Sequence, residues 1–476
     1  MEEYDFLVIG SGSGLDVANA AVNRGESVAI VEKGPLGGTC LNRGCIPSKM
    51  LLYHADVLET VERAGEFDID AEVRGVDFAD IVREVNEDVG EDSESIRRGL
   101  RSSSEHDLYE GEARFVGERT VEVAGGADDG TRLRGERVLV AAGTRPSVPD
   151  IEGVEGVDYL TSTEALQLEE PPDHLVVVGG GYIAAELGHF FGTFGSDVTV
   201  IGRRPHLLPE ADPEIGRAFT ERYADRFDVH TGHEAVAVSE SGGEVTVETR
   251  PYPPAFDGEP GEEGVTITGS DLLLAAGRRP NTDTLNVEAA GIETDDAGFV
   301  ETDEYLRTTA DGVWALGDIV GEYLLKHNAN HEARAVVRNL FGDPEPVDYT
   351  AMPFAVFASP EVAGVGATED ELEGEYATNT YRYEDTARGD AMKREGVVKV
   401  LIDLEGNIEG CHIMGPEASN LVQEVVVAMT AGSGTVQDIR DAVHIHPALS
   451  EVVQRAFSGQ FSRGGSGHGH DHSHEH

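Results

Sequence analysis

Cys40 and Cys45 are two of only three cysteines in a chain of 476 residues. They stand in the stretch Gly37-Gly38-Thr39-Cys40-Leu41-Asn42-Arg43-Gly44-Cys45-Ile46-Pro47-Ser48-Lys49. Neighbouring thiols can exchange two electrons by closing and opening a disulfide, and an ionised thiol is a nucleophile. In an ideal α-helix, positions this far apart lie roughly 8–9 Å from each other at Cα. A disulfide needs about 7 Å or less. The two cysteines can therefore pair only if the helix between them is bent. Gly44 loosens the backbone there, and Pro47, if helical, cannot donate to the carbonyl of Arg43 and crowds it. Spacing alone leaves open a second reading, two unrelated buried thiols. Three cysteines build no structural disulfide framework, so a reducing cytoplasm is expected, where a disulfide is more often catalytic than structural.

The elements that must hold such a pair read as two nucleotide-binding units. Tyr4 to Ile9 forms a buried strand, Gly10-Ser11-Gly12-Ser13-Gly14 a turn, and the small residues through Ala21 a helix. A second strand, Ser27 to Val31, ends at Glu32. Gly10 suits the tight turn and Gly12 the close approach of a pyrophosphate to a helix N-terminus, while Glu32 suits ribose hydroxyls. Leu15 stands where a third glycine is usual, so the fingerprint is imperfect. Residues 51–112 read as an acidic, mostly helical scaffold, with one helix from Asp77 to Arg101; Gly111-Glu112-Ala113 could pass close to a ligand. A strand at Arg137–Val140 runs into Ala141-Ala142-Gly143.

The second unit begins at His174–Val178. It turns at Gly179-Gly180-Gly181, enters a helix at Tyr182-Ile183, and resumes as the strand Asp197–Ile201. Where the first unit ends in an acid, this one continues Gly202-Arg203-Arg204. An acid there would repel a 2′-phosphate, whereas guanidiniums bind one, so NADP is expected rather than NAD. Ala184 replaces the third glycine. Leu272–Pro280, containing Gly277, echoes the strand that ends at Gly143. A further strand at Val313–Leu316 ends in Gly317-Asp318, which can offer a carboxylate to a cofactor hydroxyl or simply cap the strand. From about 347 the texture turns antiparallel, with strands at 353–357 and 397–402 and a helix from Ala418 to Met429. Cys411 reads as a small buried hydrophobe.

Charge limits the possible partners. Ninety acidic residues against 36 basic give a net charge of −54, spread along the whole chain. Lysine occurs only at 33, 49, 326, 393 and 399. Such self-repulsion argues for a halophilic setting and against nucleic-acid binding, and predicts loss of fold and activity when salt is removed. No apolar run approaches the roughly 18 residues of a membrane span, and the acidic start lacks the basic segment of a signal peptide. Gly467 to His476 alternates histidine with small or acidic residues and reads as a disordered tail, with a metal-binding appendage as the alternative; no metal site is expected elsewhere.

Taken together, the residues are similar to those of the pyridine nucleotide–disulfide oxidoreductases, the class I flavoprotein disulfide reductases, over nearly the whole chain to about residue 462. The resemblance implies an α/β fold: two Rossmann-like dinucleotide-binding domains and an α+β C-terminal dimerisation domain. FAD would be bound by residues 1–150 and 277–346, NAD(P) by 151–276, and the dimer would form through 347–462, leaving 463–476 as tail. It assigns FAD contacts to Gly10, Gly12, Gly14, Glu32, Thr39, Lys49, Ala113, Gly143 and Asp318. It assigns nucleotide contacts to Gly179, Gly181, Tyr182, Ile183, Gly277, Arg203 and Arg204.

By the same likeness Cys40 is the interchange thiol that attacks substrate and Cys45 the thiol facing the flavin, and the two form a redox-active disulfide. Lys49 and Glu186 match the family's ion pair beside the flavin, and Tyr182 the aromatic gate over the nicotinamide. His446 and Glu451 match a His–Glu dyad contributed across a homodimer, in which the imidazole protonates a leaving thiolate. His444 matches no role. Retention of all these groups favours an enzyme over a non-catalytic flavoprotein. No cysteine follows Cys411, which sets the chain apart from mercuric reductases and large thioredoxin reductases. The arginines and Ala184 are like those of glutathione reductases. The Leu325–Arg334 and His446–Val453 stretches most resemble mycothione reductases. The expected function is NADPH-dependent reduction of a low-molecular-weight disulfide such as bis-γ-glutamylcystine, the disulfide of a thiol associated with halophilic archaea. The alternative is NAD-dependent dihydrolipoyl dehydrogenase.

Overall fold

Apolar runs separated by glycine turns become the parallel sheets. A computed structural model describes residues 1–252 and 263–465. β1 (Glu2–Ile9) passes through the first glycine turn into α1 (Gly14–Val22) and then β2 (Val28–Glu32). The strands pair in parallel from Phe6↔Val28 to Ile9↔Val31. Phe6, Leu7, Val8 and Ile9 are all buried because both faces of the sheet are covered, so the strand reads as one apolar run. The thiol stretch forms α2 (Gly38–Arg43) and the start of α3 (Cys45–Glu62). α4 (Phe78–Ser102) follows, capped by Asp77, whose carboxylate accepts the Asp80 N–H at 3.0 Å. The sheet is completed by β3 (His106–Glu110), β4 (Glu112–Gly117), β5 (Thr120–Ala124) and β6 (Arg132–Val140), in the order β3-β2-β1-β6-β5-β4. β6 starts antiparallel to β5 and runs parallel to β1, ending opposite Ile9 at Val140.

The second unit repeats the plan. β7 (His174–Val178), α5 (Tyr182–Thr193), β8 (Asp197–Gly202), β9 (Asp228–Thr231) and β10 (Asp271–Leu274) form a parallel sheet in the order β9-β8-β7-β10. Both units turn on a glycine with the same constraint. Gly10 has φ +101° and Gly179 φ +139°; a Cβ there would lie 2.3 Å from the Ala141 carbonyl oxygen and 2.2 Å from that of Ala275, respectively. An antiparallel sheet of His233–Ser241, Glu244–Pro251 and Thr266–Gly269, which the sequence reading did not anticipate, lies between β9 and β10 in the chain.

β11 (Val313–Ala315) then returns to the first sheet and lies parallel to β6, with Ala315 opposite Val140. α6 (Lys326–Phe341) packs beside it, with Ala333 and Val336 in the same core as Val8 and Ile30. The C-terminal part is antiparallel: β12 (Pro353–Val356), β13 (Val362–Gly366), β14 (Glu375–Arg382), β15 (Val397–Asp403) and β16 (Ile408–Met414). α7 (Ala418–Ala431) and α8 (Glu451–Ser458) share its core with the fully buried Cys411. Burial drives the Cys411 thiol well above its ordinary range, as suits an inert hydrophobe. The tail was expected from 463, but Ser462–Gly465 forms an edge strand, β17, paired to β14 from Ser462↔Thr378 to Gly465↔Glu375. The histidine-rich remainder from 466 lies outside the described residues.

Lys399, 1% exposed, joins the second unit to the C-terminal sheet. Its ammonium donates to Asp212 at 2.8 Å and to Glu369. Among the described residues no helix is long and apolar enough to cross a membrane.

Candidate active site

The thiols sit on either side of a break. α2 ends at Arg43 and α3 starts at Cys45, with Gly44 between them at φ −143°, ψ −122°. A Cβ at 44 would lie 2.9 Å from the Thr39 carbonyl oxygen, so the turn closes only around glycine. Pro47 falls in the first turn of α3, where a helix has no use for the missing N–H. The crowding of the Arg43 carbonyl expected for a continuous helix therefore does not arise.

All three cysteines are free, and Cys40 and Cys45 meet as a hydrogen-bonded dithiol. The hydrogen bond from Cys40 lowers the Cys45 pKa most, and the Lys49 ammonium adds to it; together they outweigh burial and bring it to about 7. Cys40 shifts strongly the other way, because it donates to Cys45 and is partly buried. The pair therefore loses its first proton from Cys45 and keeps the second on Cys40. The ammonium that favours the Cys45 thiolate is itself anchored. Lys49 donates to Glu186 at 2.8 and 2.7 Å, and Glu186 also accepts the Phe357 N–H at 3.0 Å.

Both thiols line a cavity of about 450 Å³. Of the residues singled out in the sequence, Gly10, Gly12, Glu32, Thr39, Cys40, Cys45, Lys49, Ala113, Gly143, Tyr182, Ile183, Glu186 and Asp318 all face it. The carboxyl ends of β1, β2, β6 and β11 converge there, as open α/β sheets present ligands. Glu32 accepts the Ser11 N–H and O–H, both at 2.8 Å, and the Gly34 N–H at 2.8 Å, which pins its carboxylate at the end of β2. Asp318 accepts the Thr144 hydroxyl at 2.9 Å. A Cβ at Gly143 would meet nothing within 4 Å, so the backbone there is open to a ligand. An FAD-sized group fits these features: a glycine turn and helix N-terminus for pyrophosphate, two carboxylates for hydroxyls, and a dithiol with its own cation.

Other expected residues stand elsewhere. Gly14 is buried and set back from the cavity; a Cβ there would lie 3.0 Å from both Val8 Cγ1 and Ala141 Cβ. It serves the helix–strand packing for which Leu15 had seemed the wrong residue. Gly179, Gly181 and Gly277 shape the second unit's turns, outside this cavity lining. Arg203 and Arg204 are exposed just beyond β8, and neither joins an ion pair among the described residues. The Arg203 guanidinium lies over the Tyr252 ring, 5.6 Å from its centroid.

His446 and Glu451 come together before and at the start of α8. The His446 Nδ1 lies 3.0 and 3.1 Å from the two carboxylate oxygens, which leaves Nε2 facing outward on a side chain 74% exposed. The hydrogen bond from His446 is the largest influence holding Glu451 below the usual carboxylate range. Among the described residues none beyond Ala329 lines the cavity, and His446 and Glu451 lie outside the lining that holds their own chain's dithiol. His444, left without a role by the sequence, is an internal strut: its Nε2 lies 2.8 Å from Glu424.

Sequence reasoning gave no role to three polar residues that the fold brings to the cavity. Arg278 donates to the Thr144 hydroxyl at 2.7 Å and lies 3.9 Å from Asp318. Lys326 and Ser13 meet beside Cys40, Lys326 donating at 2.7 Å. For Arg278 and Lys326 the only signal was the rarity of basic residues.

A dithiol and its half-buried ion pair between two dinucleotide-binding units define a redox enzyme linking a pyridine nucleotide to a disulfide. The chain belongs to the pyridine nucleotide-disulphide oxidoreductase family: that family matches residues 4–333, and its dimerisation domain matches residues 352–457. It is 37% identical to a mycothione reductase of Mycobacterium tuberculosis, over 96% of this chain and all of the relative. It is 35% identical to dihydrolipoyl dehydrogenase 3 of Haloarcula marismortui, over 95% of each. The structure of the HOCl-induced flavoprotein disulfide reductase RclA from Escherichia coli is 27% identical and superposes with a TM-score of 0.82, covering 96% of this chain and 99% of that one. The protein is a flavoprotein disulfide reductase of a family that uses FAD and a pyridine nucleotide.

Proposed function

We propose that the protein is a homodimeric, NADPH-dependent reductase of a low-molecular-weight disulfide, acting through Cys40 and Cys45 in the cytoplasm. The observation that carries this is the shared cavity, where the dithiol, the Lys49–Glu186 pair and Tyr182 meet. FAD, when bound, supplies the two-electron link between the nicotinamide and the cysteine pair. The chain's own residues do the rest. Cys40 gives up its proton to His446 of the partner subunit and attacks one sulfur of the substrate. The other sulfur leaves as a thiolate and takes that proton back from His446. Cys45, the more acidic thiol, then attacks the Cys40 sulfur as a thiolate, expels the second half of the substrate as a thiolate that solvent protonates, and restores the disulfide. Glu451 orients the imidazole and steadies its charged form.

Two features support the dimer and the nucleotide. Val443 and Ile445, 99% and 77% exposed, stand beside the dyad as apolar surface suited to burial against a second copy. Arg203 and Arg204, without a described carboxylate partner in so acidic a chain, suit a 2′-phosphate. A panel of purified disulfides with NADPH and NADH, in high salt, tests the reading. Turnover of a small thiol disulfide with NADPH is expected. Turnover confined to NAD with dihydrolipoamide would replace it with the dihydrolipoyl dehydrogenase reading, to which the Haloarcula relative also points.

A further inference from the structure

Residues 442–446 end in His446 and form neither helix nor strand. Among the described residues, no backbone N–H or carbonyl of these five is bonded to a group outside the segment. Val443 and Ile445 are 99% and 77% exposed, so neither packs the segment down. Two side chains tie it to the rest of the fold. His446 reaches forward to Glu451. His444, whose side chain is 6% exposed, turns inward to Glu424 on α7, its Nε2 2.8 Å from a carboxylate oxygen. Its Nδ1 lies 3.1 Å from the Ala442 carbonyl oxygen, which can only accept, so Nδ1 carries a hydrogen. The contact at Nε2 then needs a second proton, held by the imidazole or by Glu424. The other Glu424 oxygen is buried without a hydrogen-bond partner, and burial pushes this carboxyl above the usual range, as suits a group that shares that proton. Neither His444 nor Glu424 lines the cavity of the dithiol.

We propose that His444 is a positioning residue for the disulfide half of the reaction: braced on Glu424, it fixes the backbone that presents His446 to the dithiol of a second copy. This rests on the homodimeric disulfide-reductase reading above and deepens it. Glu451 sets only the rotation of the His446 ring. The backbone that carries the ring is set two residues earlier, where His444 is the one inward anchor between two exposed apolar side chains. An acid–base group works only within hydrogen-bond reach of the sulfur it serves, so a loose segment costs rate although every reacting group is still present.

The test compares two disulfides with FAD-loaded full-length enzyme and NADPH at fixed high salt. Bis-γ-glutamylcystine releases an alkyl thiolate that needs a proton. 5,5′-Dithiobis(2-nitrobenzoic acid) releases an acidic aryl thiolate that leaves without one. His446→Gln is the reference, expected to lose more kcat/KM with the alkyl disulfide than with the aryl one. His444→Ala is expected to show the same selectivity, losing roughly 10- to 100-fold with the alkyl disulfide and far less with the aryl one. Glu424→Ala should behave likewise. Glu424→Gln should restore most of the rate, because its amide donates to His444 Nε2 while Nδ1 keeps the Ala442 carbonyl. Sedimentation velocity follows the dimer in each variant. Equal losses with both disulfides in His444→Ala, or no recovery in Glu424→Gln, overturn the proposal and leave the reductase reading intact. Dissociation of His444→Ala to monomers overturns it by assigning the residue to assembly. A His446→Gln variant that does not tell the two disulfides apart overturns the acid–base reading of His446, and this proposal with it.

Discussion

Lys49 Nζ donates to both carboxylate oxygens of Glu186, at 2.8 and 2.7 Å, and so ties the dithiol helix α3 to α5, the first helix of the second dinucleotide unit. The side chain of Glu186 is only 5% exposed, so the lysine is what makes its charge tolerable there. The same ammonium also helps lower the Cys45 pKa to about 7.

This gives a pH signature. In enzyme reduced to the dithiol, the Cys45 thiolate beside oxidised FAD is expected to give a long-wavelength absorbance above about pH 7 that fades as pH falls through that value. The sign follows from the lowered pKa: the thiolate exists above it and is protonated below. Lys49→Met is expected to move this transition upward and to slow turnover by roughly 10²-fold, as loss of a fixed charge at a reacting centre does. Absorbance titration of both proteins checks it.

Substitution of His446 should divide the reaction in two. His446→Gln is expected to lower disulfide turnover by roughly 10²- to 10⁴-fold, the range for loss of an acid–base group. In rapid mixing with NADPH alone, reduction of the bound FAD should be affected far less. Equal slowing of both phases would place the dyad outside the disulfide half of the reaction. Glu451→Gln should have a smaller effect in the same direction, because the carboxylate acts only through the imidazole, 3.0 Å away.

Replacing Arg203 and Arg204 together with alanine is expected to raise KM for NADPH by roughly 10- to 100-fold with kcat largely kept, since the 2′-phosphate binds without reacting. KM for NADH should change little. Similar changes for both nucleotides would show that the pair does not read the phosphate.

Lys399→Met leaves Asp212, whose side chain is fully buried, without its cation. Breaking a buried pair on one side costs about 3–5 kcal/mol. Urea unfolding at fixed high salt should show a loss of that order. The Asp212→Asn, Lys399→Met double variant should recover part of it, because the stranded charge is gone.

The glycine turns and parallel strands were legible because a strand covered on both faces is a continuous apolar run and its turn must be glycine. Phe6–Ile9 and Leu175–Val178 show both features. The sheet of 233–269 and the edge strand Ser462–Gly465 were not. Half-exposed antiparallel strands mix polar and apolar residues, and an edge strand rich in serine and glycine carries no apolar signal at all. The cysteines, Lys49 and Glu186, which line one cavity, and the His–Glu pair, which lies outside it, were picked out by type and by resemblance. Arg278 and Lys326 were not assigned roles, because nothing local distinguishes a cavity lysine from a surface one.

The sequence by itself determined the chemistry available: two thiols one helical break apart, two nucleotide turns, an acid closing one and arginines closing the other, and an excess of negative charge. These depend on residue type and short spacing, which the chain carries locally. Only the tertiary structure decided which groups meet. It brought Gly44 against the Thr39 carbonyl to set the break, Glu186 onto Lys49 across 137 residues, and Lys326 onto Ser13 across 313. It also left the His446–Glu451 dyad outside the lining of its own chain's cavity. Such pairings arise from packing one sheet, helix or loop against another, and the energy that selects them is spread over the whole core rather than written at either end of the contact.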